Sequence, residues 1–263
     1  MSSLLVDSHC HLDRLDLAPY GGNLEGALEN ARANGVGYML CVCIDMEHFP
    51  DVLAPAQSHD NIYASVGVHP NEREGLEPDV DLLLEKASDP KVIAIGETGL
   101  DYFRSEGDLE WQRERFRTHI AASKQSGKPL IIHMRQATDD TLRIMREEHA
   151  GEAGGVMHCF AEDWAAAKAA LDLDFYISFS GIVTFNSAKE LKDVARRVPL
   201  ERMLVETDSP YLAPTPFRGK PNQPAYVKYV AEHIAELRGT TPEAIAEATT
   251  DNFFRLFRHA QAA

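Results

Sequence analysis

Two histidines near the start of the chain have the spacing of a metal-binding pair. His9 and His11 follow the apolar residues 4–6 in the stretch VDSHCHLD. Side chains two positions apart on a strand point to the same side, so both imidazoles can reach one ion while Cys10 faces away into the packing. By itself an H-x-H pattern is a weak signal, because histidines also serve as hydrogen-bonded core residues. The pair therefore has to be compared with the rest of the chain.

Other short apolar runs of the chain are followed by residues of the same kinds. These residues are His69, Glu97, His133 with Arg135 shortly after, His158, and the pair Glu206 and Asp208. A random scatter of histidines would not place them at corresponding positions after successive runs. The remaining histidines do not coincide with such positions, and we interpret them as surface or packing residues: His48, His59, His119, His149, His233 and His259.

The apolar runs predict eight buried strands. They cover residues 4–6, 36–44, 62–66, 92–95, 129–132, 155–157, 175–177 and 202–205. Helical spacing is found between several of them, at 24–34, 109–126, 138–149, 164–171 and 188–197, and again at 225–238 and 242–257. This alternation predicts an α/β fold, a TIM (β/α)8 barrel, as a single domain over residues 1–263. An open doubly wound sheet uses the same alternation, but no G-x-G-x-x-G turn follows the first run.

A barrel would bring the polar residues together, because the carboxyl ends of its strands converge on the face where active sites are built. Six of them are imidazole or carboxylate ligands suited to Zn²⁺, Mn²⁺ or a similar ion: His9, His11, Glu97, His133, His158 and Asp208. Six ligands are too many for one open catalytic zinc, whereas a two-metal centre with a shared carboxylate accommodates them. For Glu206, a role in orienting a histidine or a water is favoured over a role as a ligand.

The composition and charge of the chain disfavour several classes of protein. The formal net charge of −15 disfavours tight, non-specific binding of duplex nucleic acid. No leader-like segment or apolar stretch of membrane-spanning length is evident, so we expect a cytoplasmic protein that is not bound to a membrane. The four cysteines form no C-x-x-C pair, and we expect them to be reduced and mostly buried. No obligate protein partner is evident, and a monomer is favoured.

Several motifs together resemble the TatD family of metal-dependent deoxyribonucleases, within the metal-dependent hydrolase superfamily. They are DSHCHLD, GVHP, IGETGLDY, IIHMR, HCF, ETDSPYLAP and RGKPN, in the family's order, over about residues 5 to 255. The resemblance implies a (β/α)8 barrel and hydrolysis of nucleic-acid phosphodiesters. The implied substrate is DNA, single-stranded or at 3′ ends, and the implied activity is a 3′-to-5′ exonuclease.

The resemblance also implies roles for single residues. Two divalent ions (Mg²⁺, Mn²⁺ or Zn²⁺) are implied: one is held by His9, His11 and Asp208, the other by His133 and His158, and Glu97 bridges them. His69 and Arg135 are placed near the substrate phosphate. We hypothesise that a water activated at this centre attacks phosphorus and that Asp208 accepts or orients its proton. Arg218 and Lys220, from the mobile-looking loop 215–222, are further candidates for binding the phosphate.

Two alternatives stay open at this point. A related barrel hydrolase acting on another ester, an amide or a small phosphoester would use the same ligands with a differently walled pocket. A non-catalytic binding module would predict a broken ligand set or a basic, aromatic-lined groove. The ligand set is intact and the chain is acidic, which disfavours the second alternative more than the first.

Overall fold

The chain forms a barrel of eight parallel strands. The computed structural model describes residues 4–261, so residues 1–3 and 262–263 of the predicted domain lie outside the described part. The strands pair in chain order from β1 to β8, which confirms the predicted TIM barrel over the open sheet. They are β1 Leu5–Cys10, β2 Val36–Cys41, β3 Ile62–Val66, β4 Val92–Asp101, β5 Leu130–Arg135, β6 Gly155–Met157, β7 Tyr176–Phe179 and β8 Met203–Val205.

Nine α-helices within residues 4–261 surround the barrel or close it. They are α1 Leu24–Ala33, α2 Phe49–Ser58, α3 Val80–Ala87, α4 Glu110–Ser126, α5 Thr138–Glu147, α6 Trp164–Leu171, α7 Lys189–Arg197, α8 Val227–Arg238 and α9 Pro242–Leu256. Seven were predicted to within a few residues, and α2 and α3 are additional. Within the same residues, no helix has the length and apolar character that crossing a bilayer requires.

Four strands end later than predicted: β5 and β7 by two or three residues, and β1 and β4 by more. We expected the first to end at residue 6 and the fourth at residue 95, whereas β1 continues to Cys10 and β4 to Asp101. Most of the residues added to β1 and β4 are polar or glycine, yet all of them are buried. A search for apolar runs does not detect buried strand residues of this kind.

The interior of the barrel is apolar below the polar residues. Alternate strand residues, including Ile131 of β5 and Val156 of β6, form one buried cluster with Phe253 and Phe257 at the end of α9. His133 and His158 follow two positions after Ile131 and Val156, on the same side of their strands. The imidazoles at the carboxyl face therefore lie directly next to the apolar interior of the barrel.

The seam between β1 and β8 is closed by the segment that follows β8. Among the described residues, no continuous ladder joins the two strands, and Cys10 of β1 instead forms an isolated bridge with Ser209, which follows β8. The amide of Asp208 donates to the carbonyl of His9 (2.9 Å), and that of His11 donates to the carbonyl of Ser209 (2.8 Å). The same segment that closes the barrel thus carries Asp208.

A cavity of about 440 Å³ lies at the opposite, amino-terminal face, beside α9. Its charged side chains include Lys124 with Glu152, whose Nζ and Oε2 atoms are 3.4 Å apart, and Arg202 paired with Asp174. These charges neutralise one another, whereas the polar residues predicted to do chemistry lie at the other end of the barrel.

One histidine of α4 is part of the buried framework. His119 is fully buried; its Nε2 atom accepts from the Val68 amide (3.0 Å) and its Nδ1 atom donates to the Arg115 carbonyl (2.8 Å). This confirms a packing role and ties α4 to the residues after β3. Burial, together with the Arg115 guanidinium, lowers the pKa of His119 to about 4, although the hydrogen bond to the Arg115 carbonyl and the Glu77 carboxylate act to raise it.

The stability of the protein should therefore depend on the protonation of His119. Between its usual pKa of 6.5 and about 4, the unfolded chain binds a proton that the folded protein excludes, so acidification destabilises the fold. Over this window we expect the free energy of unfolding of the wild type to fall by about 3 kcal/mol more than that of His119→Gln. Chemical denaturation of both proteins at several pH values measures this; equal losses would contradict the assignment.

Candidate metal centre

The six predicted ligands lie together at the carboxyl face of the barrel. They come from five places in the chain: His9 and His11 from β1 and the residue after it, Glu97 from β4, His133 from β5, His158 after β6, and Asp208 after β8. We refer to these six side chains as the ligand cluster. His9 has no exposed surface, whereas the side chains of Asp208 and His133 are 13% and 18% exposed. Solvent and substrate therefore reach the cluster from the side of Asp208 and His133.

An irregularity in β4 positions Glu97. The pairing of β4 with β5 shifts register between Ile95 and Thr98, and Glu97 lies within the shift. Glycine is required on both sides of it, because a Cβ on Gly96 would lie 2.6 Å from the Ile131 carbonyl oxygen and one on Gly99 would lie 2.0 Å from the His133 carbonyl oxygen. The GETG sequence therefore lets β4 approach β5 closely while Glu97 points into the mouth of the barrel.

A first group of donors, meaning atoms that could ligate a metal ion, surrounds His9. Its Nε2 atom lies 3.4 Å from the Nε2 atom of His11 and 3.7 Å from Oδ1 of Asp208, and the latter two atoms are 3.4 Å apart. Two imidazole nitrogens and one carboxylate oxygen thus face a common point, as the H-x-H spacing predicts. The thiol of Cys10 turns away toward the carbonyl of Leu40.

A second group of donors lies on the other side of Glu97. Oε1 of Glu97 is 2.8 Å from Nε2 of His158 and 3.2 Å from Nδ1 of His133. Oε2 of the same carboxylate faces the first group and lies 3.4 Å from Nε2 of His9. One carboxylate therefore reaches both groups, with a different oxygen directed at each.

Hydrogen bonds to the far nitrogens hold three of these imidazoles in place. Nδ1 of His11 lies 2.9 Å from the carbonyl oxygen of Val42, which can only accept, so His11 donates there and leaves Nε2 as a potential ligand. Nδ1 of His158 lies 3.2 Å from Glu206, and Nε2 of His133 lies 3.1 Å from Asp101. Partners of this kind orient histidine ligands in metal sites.

The charge of the cluster suits cations. Within residues 4–261, no lysine or arginine forms an ion pair with the buried carboxylates Glu97, Asp101 and Glu206 or with the partly exposed Asp208, and the ionic contacts of all four are with histidines. Burial acts to raise the pKa of Glu97, but His158, His69 and His133 outweigh it and hold that pKa well below its usual value. Ionised carboxylates buried without a compensating charge are costly, so bound cations would stabilise this arrangement.

Two histidine nitrogens without hydrogen-bond partners also indicate that the ligand cluster suits cations. Nδ1 of His9 and Nε2 of His158 are buried without a hydrogen-bond partner among the described residues, although the latter lies 2.8 Å from Glu97. Buried polar atoms are rarely left unpaired, and a neutral imidazole nitrogen is a good ligand for divalent transition metals. The residues present therefore fit a metal centre built from histidines and carboxylates.

The predicted phosphate-binding residues do not all contact the ligand cluster. Nε2 of His69 lies 3.3 Å from Oε1 of Glu97, so His69 belongs to the mouth of the site. Arg135 ends β5 two residues after His133, with its guanidinium carbon 3.9 Å from the centre of the Phe103 ring. Arg218 stacks over Phe185 at 4.4 Å, and no contact in the described part of the chain joins Arg218 or Lys220 to the ligand cluster.

The loop that carries Arg218 and Lys220 is tied down at both ends. The Thr215 amide donates to the hydroxyl of Thr184 (2.8 Å). The side-chain amide of Asn222 donates to the carbonyl oxygens of Thr207 (2.8 Å) and Tyr211 (2.6 Å), and Asn222 is 2% exposed. Although the composition of residues 215–222 suggests mobility, specific hydrogen bonds therefore hold both ends of this segment.

Sequence reasoning missed a network behind the second group. Asp101 accepts from His133 and from the side-chain amide of Asn71 (2.8 Å), while the backbone amide of Asn71 donates to Nδ1 of His69 (3.0 Å). Asp101 thus connects His133 with His69 through one asparagine. Its only sequence signal was its place at the end of the motif IGETGLDY, because nothing in its type or spacing distinguishes it from surface acids.

A parallel barrel with a cluster of histidines and carboxylates at its carboxyl face has the architecture of a metal-dependent hydrolase. Comparison with known proteins agrees. The chain is 49% identical over 254 residues to an uncharacterized metal-dependent hydrolase of Escherichia coli K12, YcfH, covering 96% of this chain and 95% of that protein. It is 43% identical to the similarly named YabD of Bacillus subtilis, covering 97% and 99%.

The family assignment follows from a family model and a solved structure. The model described as TatD-related DNase matches residues 6–258. The crystal structure of YjjV, a TatD homologue from Escherichia coli K12, superposes with a TM-score of 0.86 at 31% identity, covering 98% of this chain and 99% of that one. The chain belongs to the TatD-related DNase family, and it is a metal-dependent hydrolase.

Asp101→Asn should weaken metal binding without changing the shape of the side chain. The asparagine can place an amide N–H where Asp101 accepts from His133, so His133 loses its orienting partner. We expect metal affinity to fall by about 10- to 100-fold. Calorimetric titration of chelator-stripped protein with Mn²⁺ or Zn²⁺ measures this, with the exposed Asp16→Asn as the matched control. Equal affinity in Asp101→Asn and wild type would show that this carboxylate does not support the centre.

Proposed function

We propose that this hydrolase is a deoxyribonuclease that removes nucleotides from the 3′ end of single-stranded DNA. It would use two divalent ions, Mg²⁺, Mn²⁺ or Zn²⁺. His9, His11 and Asp208 would hold one ion, His133 and His158 the other, and Glu97 would serve both. The description of the family as DNases and the resemblance of the motifs support DNA as the substrate and a 3′-to-5′ direction.

The observation that carries the proposal is the position of Glu97 between two separate groups of donors. Its Oε2 atom faces His9, and its Oε1 atom faces His158 and His133. A single metal site needs one carboxylate oxygen, whereas a carboxylate with one oxygen toward each group is the arrangement expected of a bridge between two ions. Bound divalent ions would polarise a phosphodiester and make an attacking water more acidic.

In the proposed reaction, Asp208 would accept or orient the proton of the attacking water. It borders the first group and is partly exposed, with its Oδ1 atom 3.4 Å from Nε2 of His11. Burial acts to raise the pKa of Asp208, but its contacts with His11 and His9 outweigh it, so the carboxylate stays ionised and able to accept a proton. We therefore assign the role of general base to Asp208.

We propose that His69 and Arg135 bind the phosphate. Because Nδ1 of His69 accepts from the Asn71 amide, the proton of the neutral ring lies on Nε2, which faces the cluster as a donor. This favours His69 as a hydrogen-bond donor to phosphate over His69 as a ligand. Arg135 has no carboxylate partner among the described residues, so its charge remains available for a phosphate oxygen. The charges of Arg218 and Lys220 remain available in the same way.

The first test is cleavage of single-stranded DNA labelled at its 5′ end. Chelator-stripped protein should leave the DNA intact, and adding Mg²⁺, Mn²⁺ or Zn²⁺ should produce a ladder that shortens from the 3′ end. The double variant His133→Ala/His158→Ala should lose this activity. The matched control removes two exposed histidines far from the cluster, as His149→Asn/His259→Ala, and should retain activity.

Two outcomes would change the proposal. Shortening from the 5′ end would overturn the direction while keeping the nuclease. No cleavage by protein that still binds about two ions would remove DNA as the substrate, in favour of another ester, an amide or a small phosphoester. Aminoacyl esters and lactones, assayed in parallel, distinguish these classes.

Asp208→Asn should separate catalysis from folding. Asp208 has a left-handed backbone conformation (φ 57°), which asparagine tolerates, and the amide cannot accept the proton. We expect kcat on single-stranded DNA to fall by about 100-fold or more, with a smaller change in KM, even at saturating metal. Turnover close to that of the wild type would show that Asp208 is not the base.

A further inference from the structure

Two exposed aromatic rings lie at the mouth of the ligand cluster. Within residues 4–261, four large hydrophobic side chains are strongly exposed: Leu4, Leu76, Phe103 and Tyr211. Phe103 is 54% exposed and Tyr211 is 49% exposed. Burying large apolar side chains is favourable, so aromatic rings left in solvent beside a candidate active site point to a ligand that covers them.

The Phe103 ring is anchored beside the second group of donors. Its backbone amide donates to Oδ1 of Asp101 (3.0 Å), the carboxylate that also accepts from His133. The guanidinium of Arg135 lies 3.9 Å from the ring centre. The guanidinium therefore covers one face of the Phe103 ring and places a positive charge beside it, which leaves the other face of the ring for a ligand.

The Tyr211 ring is anchored beside the first group. Its backbone amide donates to the Asp208 carbonyl (2.9 Å), and its own carbonyl accepts from the Asn222 side chain (2.6 Å). The ring centre lies 6.0 Å from that of His11. Tyr211 is therefore fixed by the same segment that carries Asp208.

The two rings flank the cluster from opposite sides. Phe103 follows β4 and contacts the end of β5, whereas Tyr211 follows β8 and lies beside the residue after β1. In an eight-stranded barrel whose strands pair in chain order, the β4–β5 edge lies across from the β8–β1 edge. A chain whose phosphate lies over the cluster would thus meet one ring on each side.

We infer that Phe103 and Tyr211 are stacking platforms for the nucleobases on either side of the scissile phosphate. This rests on the proposed function and deepens it to the binding of single-stranded ends. Bases in a duplex are already stacked on one another, so only an unpaired end can offer its base faces to the two rings. The formal charge of −15 makes stacking more important here, because the protein as a whole repels DNA.

The inference predicts a selective loss of DNA binding when a ring is removed. Phe103→Ala and Tyr211→Ala should each raise KM for a short single-stranded oligonucleotide on the order of tenfold, and the double variant by about a hundredfold. Tyr211→Phe should behave as the wild type because it keeps the ring. Leu76→Ala, which removes an exposed apolar side chain that is not one of the two platforms, is the matched control and should leave KM unchanged.

A double-mutant cycle, in which a ring of the protein and a base of the DNA are removed separately and together, tests whether the two are in contact. In oligonucleotides that lack one base next to the scissile phosphate, the wild type should already show the raised KM, and removing the corresponding ring should add little. Additive losses, or an unchanged KM in both ring variants while the wild type cleaves the DNA, would overturn the inference and leave the nuclease intact. If the wild type cleaves no DNA with any of the three metals, the proposed function itself fails. Thermal unfolding of each variant checks that the fold is retained.

Discussion

Glu97 is a carboxylate that the fold buries at the centre of the barrel mouth, 3% exposed and with no lysine or arginine beside it among the described residues. A buried ionised group of this kind is unfavourable unless opposite charge surrounds it. Imidazoles lie on both sides of it, and each of its oxygens faces a different set. The remaining features of the site, including its oriented histidines and its fit to cations, follow from the need to satisfy this one group.

The backbone departs from regular geometry where it supplies these side chains. β4 shifts register around Glu97, and β1 shifts register between Asp7 and Cys10, around His9. Such shifts redirect a side chain that a regular strand would send elsewhere. Asp7 supports the second shift: its carboxylate accepts from the amide (2.8 Å) and hydroxyl (2.5 Å) of Thr207, across the seam of the barrel. Other register shifts lie lower in the barrel, between Leu5 and Val6 and between Ala64 and Ser65.

The barrel and the positions of the ligands could be predicted because both depend on where apolar runs stop. His133 and His158 follow short buried strands, and parallel strands bring such ends together. The full extents of β1 and β4 could not be predicted, because most of their last residues are polar and become buried only in the folded protein. Asp101 was missed for the same reason: it is one of 41 acidic residues, and its partners lie on other elements. Roles assigned to single residues of the site remain predictions from geometry and resemblance.

The closure of the barrel has a consequence for how the protein is made. The bridge at Ser209 and the amide of Asp208 bind β1, which the ribosome releases some two hundred residues earlier. Until this late segment emerges, the first strand has an unpaired edge and the first group of donors lacks its carboxylate. A nascent chain therefore cannot complete the first group of donors before the segment that follows β8 has been made.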